Sequence, residues 1–288
     1  MIFTMNGTTA LVTPGARTIG DALAELDERA EAMGSIIVEV AVDGRALSPD
    51  ELAEASARDA AGEGTVDLVA EPAADLKSRG LETLLDLVRA ASEAAASGDA
   101  ESLDAARGAW GSYSRAFGGL FSAEEASFID AFGQQLDGDA GSPGIPRIAE
   151  SMSAFFGERL AELRDPSAAM MAAARVFDAI RDDLSEVPVR LQTGKDAEAM
   201  RTMVVAVELI NKTVRIMPEY VRTAVTVPTE VDGTAMPEFY GALNGVLREL
   251  AQAFENKDGV LIGDLAEYEI RPRLESFYSA VRSAAGAP

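Results

Sequence analysis

The sequence contains no cysteine and no histidine, and it has a single tryptophan. Without cysteine the chain can form no disulfide, no thiolate nucleophile and no cysteine-containing zinc site. Without histidine it has no Ser-His-Asp triad and no two-histidine metal site. Carboxylates, Lys, Arg, Tyr and Ser still permit an enzyme, but these absences favour a protein that is not one. We therefore assign no catalytic, cofactor-binding or metal-ligating residue and expect no cofactor.

Positive charge is scarce as well. The 288 residues include 48 Asp and Glu against 25 Lys and Arg, which gives a formal net charge of −23. Such a field repels phosphate backbones and anionic lipid, so neither a nucleic acid nor a membrane surface is expected as a partner. Two interpretations of the acidic excess stay open. It is either a solvated surface that keeps the protein soluble or a docking surface for a basic protein partner.

Long apolar runs are also missing. The best run, Met203–Ile210, contains Glu208 and is far shorter than the ~20 residues that a membrane-spanning helix needs. The N-terminal residues lack the basic and apolar regions of a signal peptide. From both observations we expect a cytoplasmic protein.

Nearly all the strand signals lie in residues 1–72. They come from turn dipeptides that favour positive φ, from alternating apolar residues and from helix-capping motifs. The predicted elements are, in order, a hairpin about Asn6-Gly7, a helix from Thr18 to Gly34, a strand Ile36–Val42 with Ile36, Val38, Val40 and Val42 on one side, a turn at Asp43-Gly44, a short helix capped by Ser48, and a strand Thr65–Ala70. This order is typical of a β-grasp, ubiquitin-like module.

From about Asp75 onward the apolar spacing is helical. Three short segments each place an Asp as the expected N-cap of the next helix, and each is typical of the hinge of a helical hairpin. They are Ser97-Gly98-Asp99, Gly194-Lys195-Asp196 and Asn256-Lys257-Asp258.

The predicted fold class is therefore α+β. A small β-grasp-like domain, residues 1–74, precedes a larger all-α domain of helical hairpins, residues 75–288, and no strand is expected beyond residue 72. A stretch rich in Gly, Pro and Asp, residues 137–146, predicts an exposed loop within the helical domain.

The last two helices carry the candidate site. Their apolar stripes predict an antiparallel hairpin with Asp258 at its hinge, which leaves polar residues beside Pro272 on the outside. Pro272 cannot donate a hydrogen bond to the Tyr268 carbonyl and should bend the last helix there. Tyr and Arg are residue types that anchor protein interfaces. We predict partner binding by Glu267, Tyr268, Arg271 and Arg273.

A structural role for the same residues is the alternative. Arg271 and Arg273 can form ion pairs with Glu267, Glu269 and Glu275 on their own helix, and exposed pairs of this kind contribute little energy.

Two stretches, Pro188–Pro218 and Ala253–Tyr278, resemble a set of uncharacterised bacterial proteins. Those proteins pair a small N-terminal β/α segment, which ends in a turn like Val42-Asp43-Gly44, with a helical C-terminal region. The resemblance implies no known activity, cofactor or catalytic residue. The Lys-Asp hinges also resemble, more loosely, those of flagellar export chaperones, which are small, acidic and helical.

Three functions follow as hypotheses. The first is a non-catalytic protein-interaction or scaffold module with an unknown and basic partner. For this module, self-association into a homo-oligomer also stays open. The second is a cytoplasmic secretion chaperone, of the flagellar type, that holds a partner helix against an exposed apolar patch. The third is an enzyme based on carboxylates, Tyr and Arg, which requires a pocket where such groups converge.

Overall fold

The computed structural model describes residues 1–138 and 144–286, with only the backbone described at Phe117 and Leu120. The chain is α+β, as predicted, with a small N-terminal sheet followed by a larger helical region. It divides into two compact units, residues 1–160 and 161–288, and the boundary falls inside one helix. The sheet ends at Pro72 and the next helix begins at Ala73, so no linker separates them. The domain boundary after residue 74 stays a prediction.

The first unit opens with a five-stranded sheet of order β2-β1-β5-β3-β4. Strands β1 and β5 run parallel, and the other neighbouring pairs are antiparallel. The strands are β1 Ile2–Met5, β2 Thr8–Thr9, β3 Ser35–Val42, β4 Arg45–Ala46 and β5 Thr65–Pro72, and the two helices among them are α1 Ile19–Ala32 and α2 Pro49–Ser56.

The local signals of this region are confirmed. Both turn dipeptides adopt positive φ, as type I′ hairpin turns require: Asn6 and Gly7 at 51° and 76°, Asp43 and Gly44 at 52° and 77°. Thr18 and Ser48 cap α1 and α2, and each forms a reciprocal capping box with the residue three positions on.

The predicted alternation along β3 is wrong at Ile36 and Val38. A β-bulge between Ile37 and Glu39 shifts the register against β5, which leaves Val38 exposed and packs Ile37 on the core. Val40 and Val42 are buried as predicted. A bulge adds one residue to a single strand, so the residues before it face the opposite way from a regular strand.

Helix α1 packs on one face of the sheet and closes the core. The buried apolar residues of that core are Phe3, Ile19, Ala22, Leu26, Val40, Val42, Val66 and Leu68.

Helices follow the sheet without a break. They are α3 Ala73–Ser97, α4 Ala100–Phe117, α5 Ala123–Leu136 and α6 Gly144–Arg164. Asp99 caps α4, as predicted for the first hinge, and its carboxylate accepts a hydrogen bond from the Ser102 N–H at 3.1 Å. The predicted loop 137–146 is too long, because α6 begins at Gly144 and Ile145 is buried. Residues 139–143 of that prediction lie outside the described residues.

Trp110 belongs to the core of the first unit. Its side chain is 4% exposed, and its ring lies 4.7 Å from that of Phe132, measured between centroids. We therefore expect native fluorescence emission to lie well to the blue of free tryptophan in water and to shift red on unfolding. Because this is the only tryptophan, the spectrum reports on one site. Native emission at the free-tryptophan wavelength would contradict the packing of α4 against α5.

The second unit consists mainly of long helices. They are α7 Pro166–Gln192, α8 Asp196–Thr223, α9 Met236–Asn256, α10 Gly259–Asp264, a π-helical turn Leu265–Ile270, and α11 Arg271–Ala284. Asp258 caps α10, as predicted. The prediction for Asp196 is wrong: the chain enters helical conformation one residue earlier, so Lys195 is the N-cap and no side chain caps α8.

Strands also occur beyond residue 72, which corrects the prediction of an all-helical remainder. A two-stranded hairpin of β6, Glu230–Val231, and β7, Thr234–Ala235, connects α8 to α9. Asp232 and Gly233 form its turn with φ of 50° and 75°. Val231 is buried, so the hairpin is anchored to the core of the unit.

Among the described residues, no helix is both long enough and apolar enough to cross a lipid bilayer.

Candidate partner-binding site

The last helices of the second unit form the predicted antiparallel hairpin. The two ends far from the Asp258 hinge meet through Phe239 of α9 and Phe277 of α11, whose rings stack at 6.0 Å with 15° between their planes. Leu243 and Leu250 on α9, and Ile262 on α10, are buried along the same seam. Most of the two predicted apolar stripes is thus buried, but the prediction is wrong at Phe254, which belongs to the α9 stripe and is 37% exposed.

A π-helical turn interrupts the returning arm of this hairpin at Leu265–Ile270. The Arg271 N–H donates to the Ala266 carbonyl five residues back, whereas an α-helix bonds four residues back. Pro272, which has no N–H, occupies the first turn of α11 directly after it. Turns of this type widen the helix and are frequent at functional sites. The proline is therefore accommodated by a change of helical pitch.

A groove of about 450 Å³ opens where the π-helical turn faces α9. Leu261 and Leu265 supply its apolar lining, while Tyr268 and three carboxylates supply its polar lining. The carboxylates are Glu249 from α9, Asp264 from α10 and Glu269 from the π-helical turn. We call this feature the acidic groove.

Tyr268 is the most prominent side chain of the acidic groove. It is 63% exposed, which is unusual for an aromatic residue in a helix whose neighbours Ala266 and Ile270 are buried. A hydrogen bond to Glu267 raises the pKa of the Tyr268 hydroxyl, and the negative charges of Glu267 and Asp264 act in the same direction. The phenol therefore stays protonated and presents both a ring and a hydroxyl to a partner.

The predicted site residues separate into two groups. Tyr268 lines the acidic groove, whereas Glu267, Arg271 and Arg273 are not among its lining residues. Arg273 donates to the Glu269 carbonyl oxygen at 3.1 Å and forms an ion pair with the Glu269 carboxylate. Arg271 lies 3.8 Å from the carboxylate of Glu275. Both arginines thus have acidic partners on their own helix, and Arg273 holds Glu269 at the rim of the groove.

Five lining residues were not among the predicted site residues although the sequence contains them: Glu249, Leu261, Asp264, Leu265 and Glu269. Glu249 lies on α9, the other arm of the hairpin. It could have been predicted as a site residue only from the antiparallel pairing of the two arms. Glu249 and Asp264 form no ion pair within the described residues, which leaves two uncompensated negative charges at the groove.

Buried ionisable groups lie elsewhere in the molecule, and they are paired. In the first unit, Glu125 is fully buried and accepts a hydrogen bond from the Lys77 ammonium at 2.7 Å. Arg159, also buried, lies 3.8 Å from Glu125 and 4.4 Å from the ring centroid of Phe155. Burial raises the pKa of the Glu125 carboxyl, but the bonds from Lys77 and Ser122 outweigh this, so the pKa is lowered overall.

In the second unit, Glu162 binds Arg215 through two hydrogen bonds of 2.8 and 2.9 Å and lies 3.5 Å from Lys212. The Tyr278 hydroxyl shares a 2.6 Å hydrogen bond with Thr213, and burial raises the pKa of Tyr278 to about 12. Neither the ion pairs of Glu162 nor the hydrogen-bonded pair Tyr278 and Thr213 lines the acidic groove.

The comparison with known sequences bears on this unit alone. Residues 169–280 match the sequence family described as a domain of unknown function (DUF8042). The match lies within the second unit and includes the acidic groove. Both stretches that resemble uncharacterised proteins overlap it. No curated protein and no solved structure matches the chain.

Proposed function

We propose that the protein is a non-catalytic protein-interaction module and that the acidic groove binds a basic segment of a partner protein. The observation that carries this proposal is the combination of a 63% exposed tyrosine with uncompensated carboxylates around an apolar floor. The aliphatic stem of a lysine or arginine packs on leucine while its charged end remains free for ion pairs. The face of a tyrosine ring adds a cation–π contact.

The roles of the residues follow from their positions. Glu249 and Asp264 attract the cation, Leu261 and Leu265 contact its stem, and Tyr268 closes one side. Arg273 acts as a positioning residue, because its ion pair fixes the Glu269 carboxylate at the rim. The formal net charge of −23 steers a basic partner toward the protein from a distance.

The test uses labelled amphipathic peptides with the same apolar residues and either Lys and Arg or Glu and Asp at the charged positions. We expect fluorescence anisotropy to show binding of the basic peptide alone, weakened by added salt because the attraction is electrostatic. Glu249→Lys combined with Asp264→Lys should lower the affinity about tenfold or more. Tyr268→Ala should lower it by about tenfold, as for an aromatic interface anchor.

A matched control separates the groove from the overall charge. Glu186→Lys combined with Glu230→Lys changes the net charge equally at two exposed positions of the same unit that do not line the groove. We expect this variant to bind within about twofold of the wild type, because screened charges away from the contact matter little. Equal loss in both double variants would show that only bulk charge is sensed and would rule out the groove.

We also infer that the sheet of the first unit is a β-grasp module and that the protein acts in the cytoplasm. The mixed sheet with its parallel central pair β1 and β5, and a helix packed on one face, supports the first inference. The lack of cysteine is in keeping with the second.

A further inference from the structure

A second groove, of about 370 Å³, opens between α4 and α5 in the first unit. Trp110, Ile129 and Leu136 supply its apolar lining, and polar side chains of both helices supply the rest. Sites for small molecules have this size and combine apolar walls with a few polar groups, at about 300–1,000 Å³. We call this feature the tryptophan groove.

The indole N–H of Trp110 is a donor without an acceptor at this groove. Trp110 is only 4% exposed, and its N–H makes no hydrogen bond with any residue that the structure describes. The ring edge that carries the N–H faces Gly133, since a Cβ added at Gly133 would lie 3.3 Å from the Trp110 Nε1. Gly133 lines the groove, so its missing side chain leaves the N–H open to it. Buried N–H groups are almost always hydrogen-bonded, and here the acceptor must come from solution.

Arg115 places further donors in the tryptophan groove. Its Nε donates to the Gly111 carbonyl four residues back at 2.6 Å, which holds the guanidinium along α4 toward Trp110. Its two terminal nitrogens have no hydrogen bond or ion pair within the described chain. Arg107, the other arginine of the lining, is instead engaged by the Leu136 carbonyl at 2.7 Å and by a carboxylate on its own helix. The free side of Arg115 suits a carboxylate, which accepts two parallel N–H bonds from a guanidinium.

Asp130 of α5 presents a carboxylate to the same groove, one helical turn before Gly133. It forms no ion pair among the described residues, so Arg115 and Asp130 line one groove without bonding each other. A simple anion would meet the charge of Asp130 and the net charge of −23. A ligand with one anionic and one cationic group matches both free charges and has no net charge to be repelled.

We propose that the tryptophan groove binds a free α-amino acid with an apolar side chain. The ligand carboxylate accepts hydrogen bonds from the Trp110 N–H and from the terminal nitrogens of Arg115. The ligand ammonium lies against the Asp130 carboxylate. Ile129 and Leu136, which also line the groove, contact the apolar side chain.

The test needs no label, because the only tryptophan of the chain lies in the site. L-Leucine and L-phenylalanine are titrated into the full chain while tryptophan emission is followed. We expect a saturable change below about 10 mM ligand. L-Leucinamide lacks the carboxylate and isocaproate lacks the ammonium, so each should bind about tenfold or more weakly than L-leucine, because one charged group is left unmatched.

Two results of these titrations would overturn the proposal. Binding of isocaproate as tightly as L-leucine would show a site for anions rather than for amino acids. No change of emission and no heat of binding with either amino acid at about 10 mM would show that the groove holds neither. The acidic groove lies in the second unit, so both results leave the proposal for basic peptides untouched.

Two charge variants assign the ends of the ligand. Arg115→Gln and Asp130→Asn should each lower the affinity for L-leucine by about tenfold. Asp130→Asn should not weaken the binding of isocaproate, which has no ammonium, and Arg115→Gln should not weaken that of L-leucinamide, which has no carboxylate. Arg89→Gln is the control, because Arg89 is exposed on α3 and does not line the groove. Equal weakening of every ligand by both groove variants would contradict the assigned orientation.

Gly133→Ala tests the indole N–H without any change of charge. The added methyl group lies beside the Trp110 Nε1 and covers the N–H, so the affinity for L-leucine should fall by about tenfold. Gly108→Ala on α4 is the matched control, because a Cβ there meets nothing within 4 Å and Gly108 does not line the groove. We expect this control to bind L-leucine as the wild type does. Wild-type affinity in Gly133→Ala, with the melting temperature unchanged, would overturn the role of the indole N–H.

Discussion

Lys77→Met is expected to lower the free energy of unfolding by about 3–5 kcal/mol, the cost of leaving a buried charge without its partner. Methionine retains most of the volume of lysine, so the loss arises from charge. The remaining carboxylate, Glu125, is fully buried, and its Oε1 has no hydrogen bond in the described structure. Arg159 lies 3.8 Å away and gives only partial compensation. Chemical denaturation at pH 7 measures the change.

The control lies on the same helix. Arg89 and Asp86 form a 3.1 Å ion pair in which both side chains are largely exposed. Arg89→Met should change the free energy of unfolding by less than about 0.5 kcal/mol, since exposed pairs contribute little. Combining Lys77→Met with Glu125→Gln should restore much of the lost stability, because the neutral amide no longer needs a cation. Equal effects of Lys77→Met and Arg89→Met would contradict the burial of Glu125.

The pair of Lys77 and Glu125 also makes the free energy of unfolding depend on pH. In the wild type the pKa of Glu125 is below its ordinary value of 4.5. The contribution of Glu125 to the free energy of unfolding is therefore full above pH 4.5 and is lost as the pH falls further. In Lys77→Met, burial dominates and the pKa of Glu125 should rise above that value. The destabilisation by the buried Glu125 charge is then present at pH 7, and it is relieved as the carboxylate is protonated when the pH falls toward 5. The difference in the free energy of unfolding between the wild type and Lys77→Met should therefore shrink on acidification over that range.

The second large effect is expected at Gly263 in α10. A Cβ atom there would lie 2.9 Å from the Cα of Pro188 and 3.1 Å from its Cβ, closer than such atoms approach. The obstacle is the backbone of α7, which cannot turn aside as a flexible side chain can. Gly263→Val should therefore lower the free energy of unfolding by about 3 kcal/mol or more, as for a severely overpacked core.

Gly245→Val in α9 is the matched substitution for Gly263→Val. It also lies within a helix, but a Cβ there meets nothing within 4 Å. Valine and glycine differ little in helix propensity, so we expect a change within about 0.5 kcal/mol. Thermal melting of both variants makes the comparison. Tolerance of valine at residue 263 would show that α7 and α10 do not approach as closely as described.

Local signals in the sequence predicted the first unit well because they act within a few residues. Asn6-Gly7, Asp43-Gly44 and the capping residue Ser48 all form the predicted structures. Asp232-Gly233 is the same kind of dipeptide, yet it was missed. Its strands are only two residues long, so no alternating pattern marks them. Val38 was misplaced because a bulge leaves no mark in the pattern of apolar residues.

The candidate site was predictable in part. Tyr268 and a disturbance of the helix before Pro272 follow from the sequence, because a proline disturbs the turn before it whatever the rest of the fold. The π-helical turn itself was not predicted, and the bend at Pro272 stays a prediction. The partners that complete the acidic groove do not follow, since Glu249 reaches it only through the pairing of two helices. The same holds for Lys77 and Glu125, which lie 48 residues apart in the chain and form their hydrogen bond only in the folded unit. Contacts between residues so far apart in the chain leave no recognisable spacing pattern in the sequence.

The hairpin of β6 and β7 makes the connection from α8 to α9 a usable attachment point. Its tip, Asp232 and Gly233, is exposed, and a Cβ added at Gly233 would meet nothing within 4 Å, whereas Val231, just before the tip, is anchored in the core. A short reporter peptide or fluorophore site inserted between Asp232 and Gly233 therefore displaces only the turn. The neighbouring helices keep their positions, and a label there can follow binding at the acidic groove without occupying it.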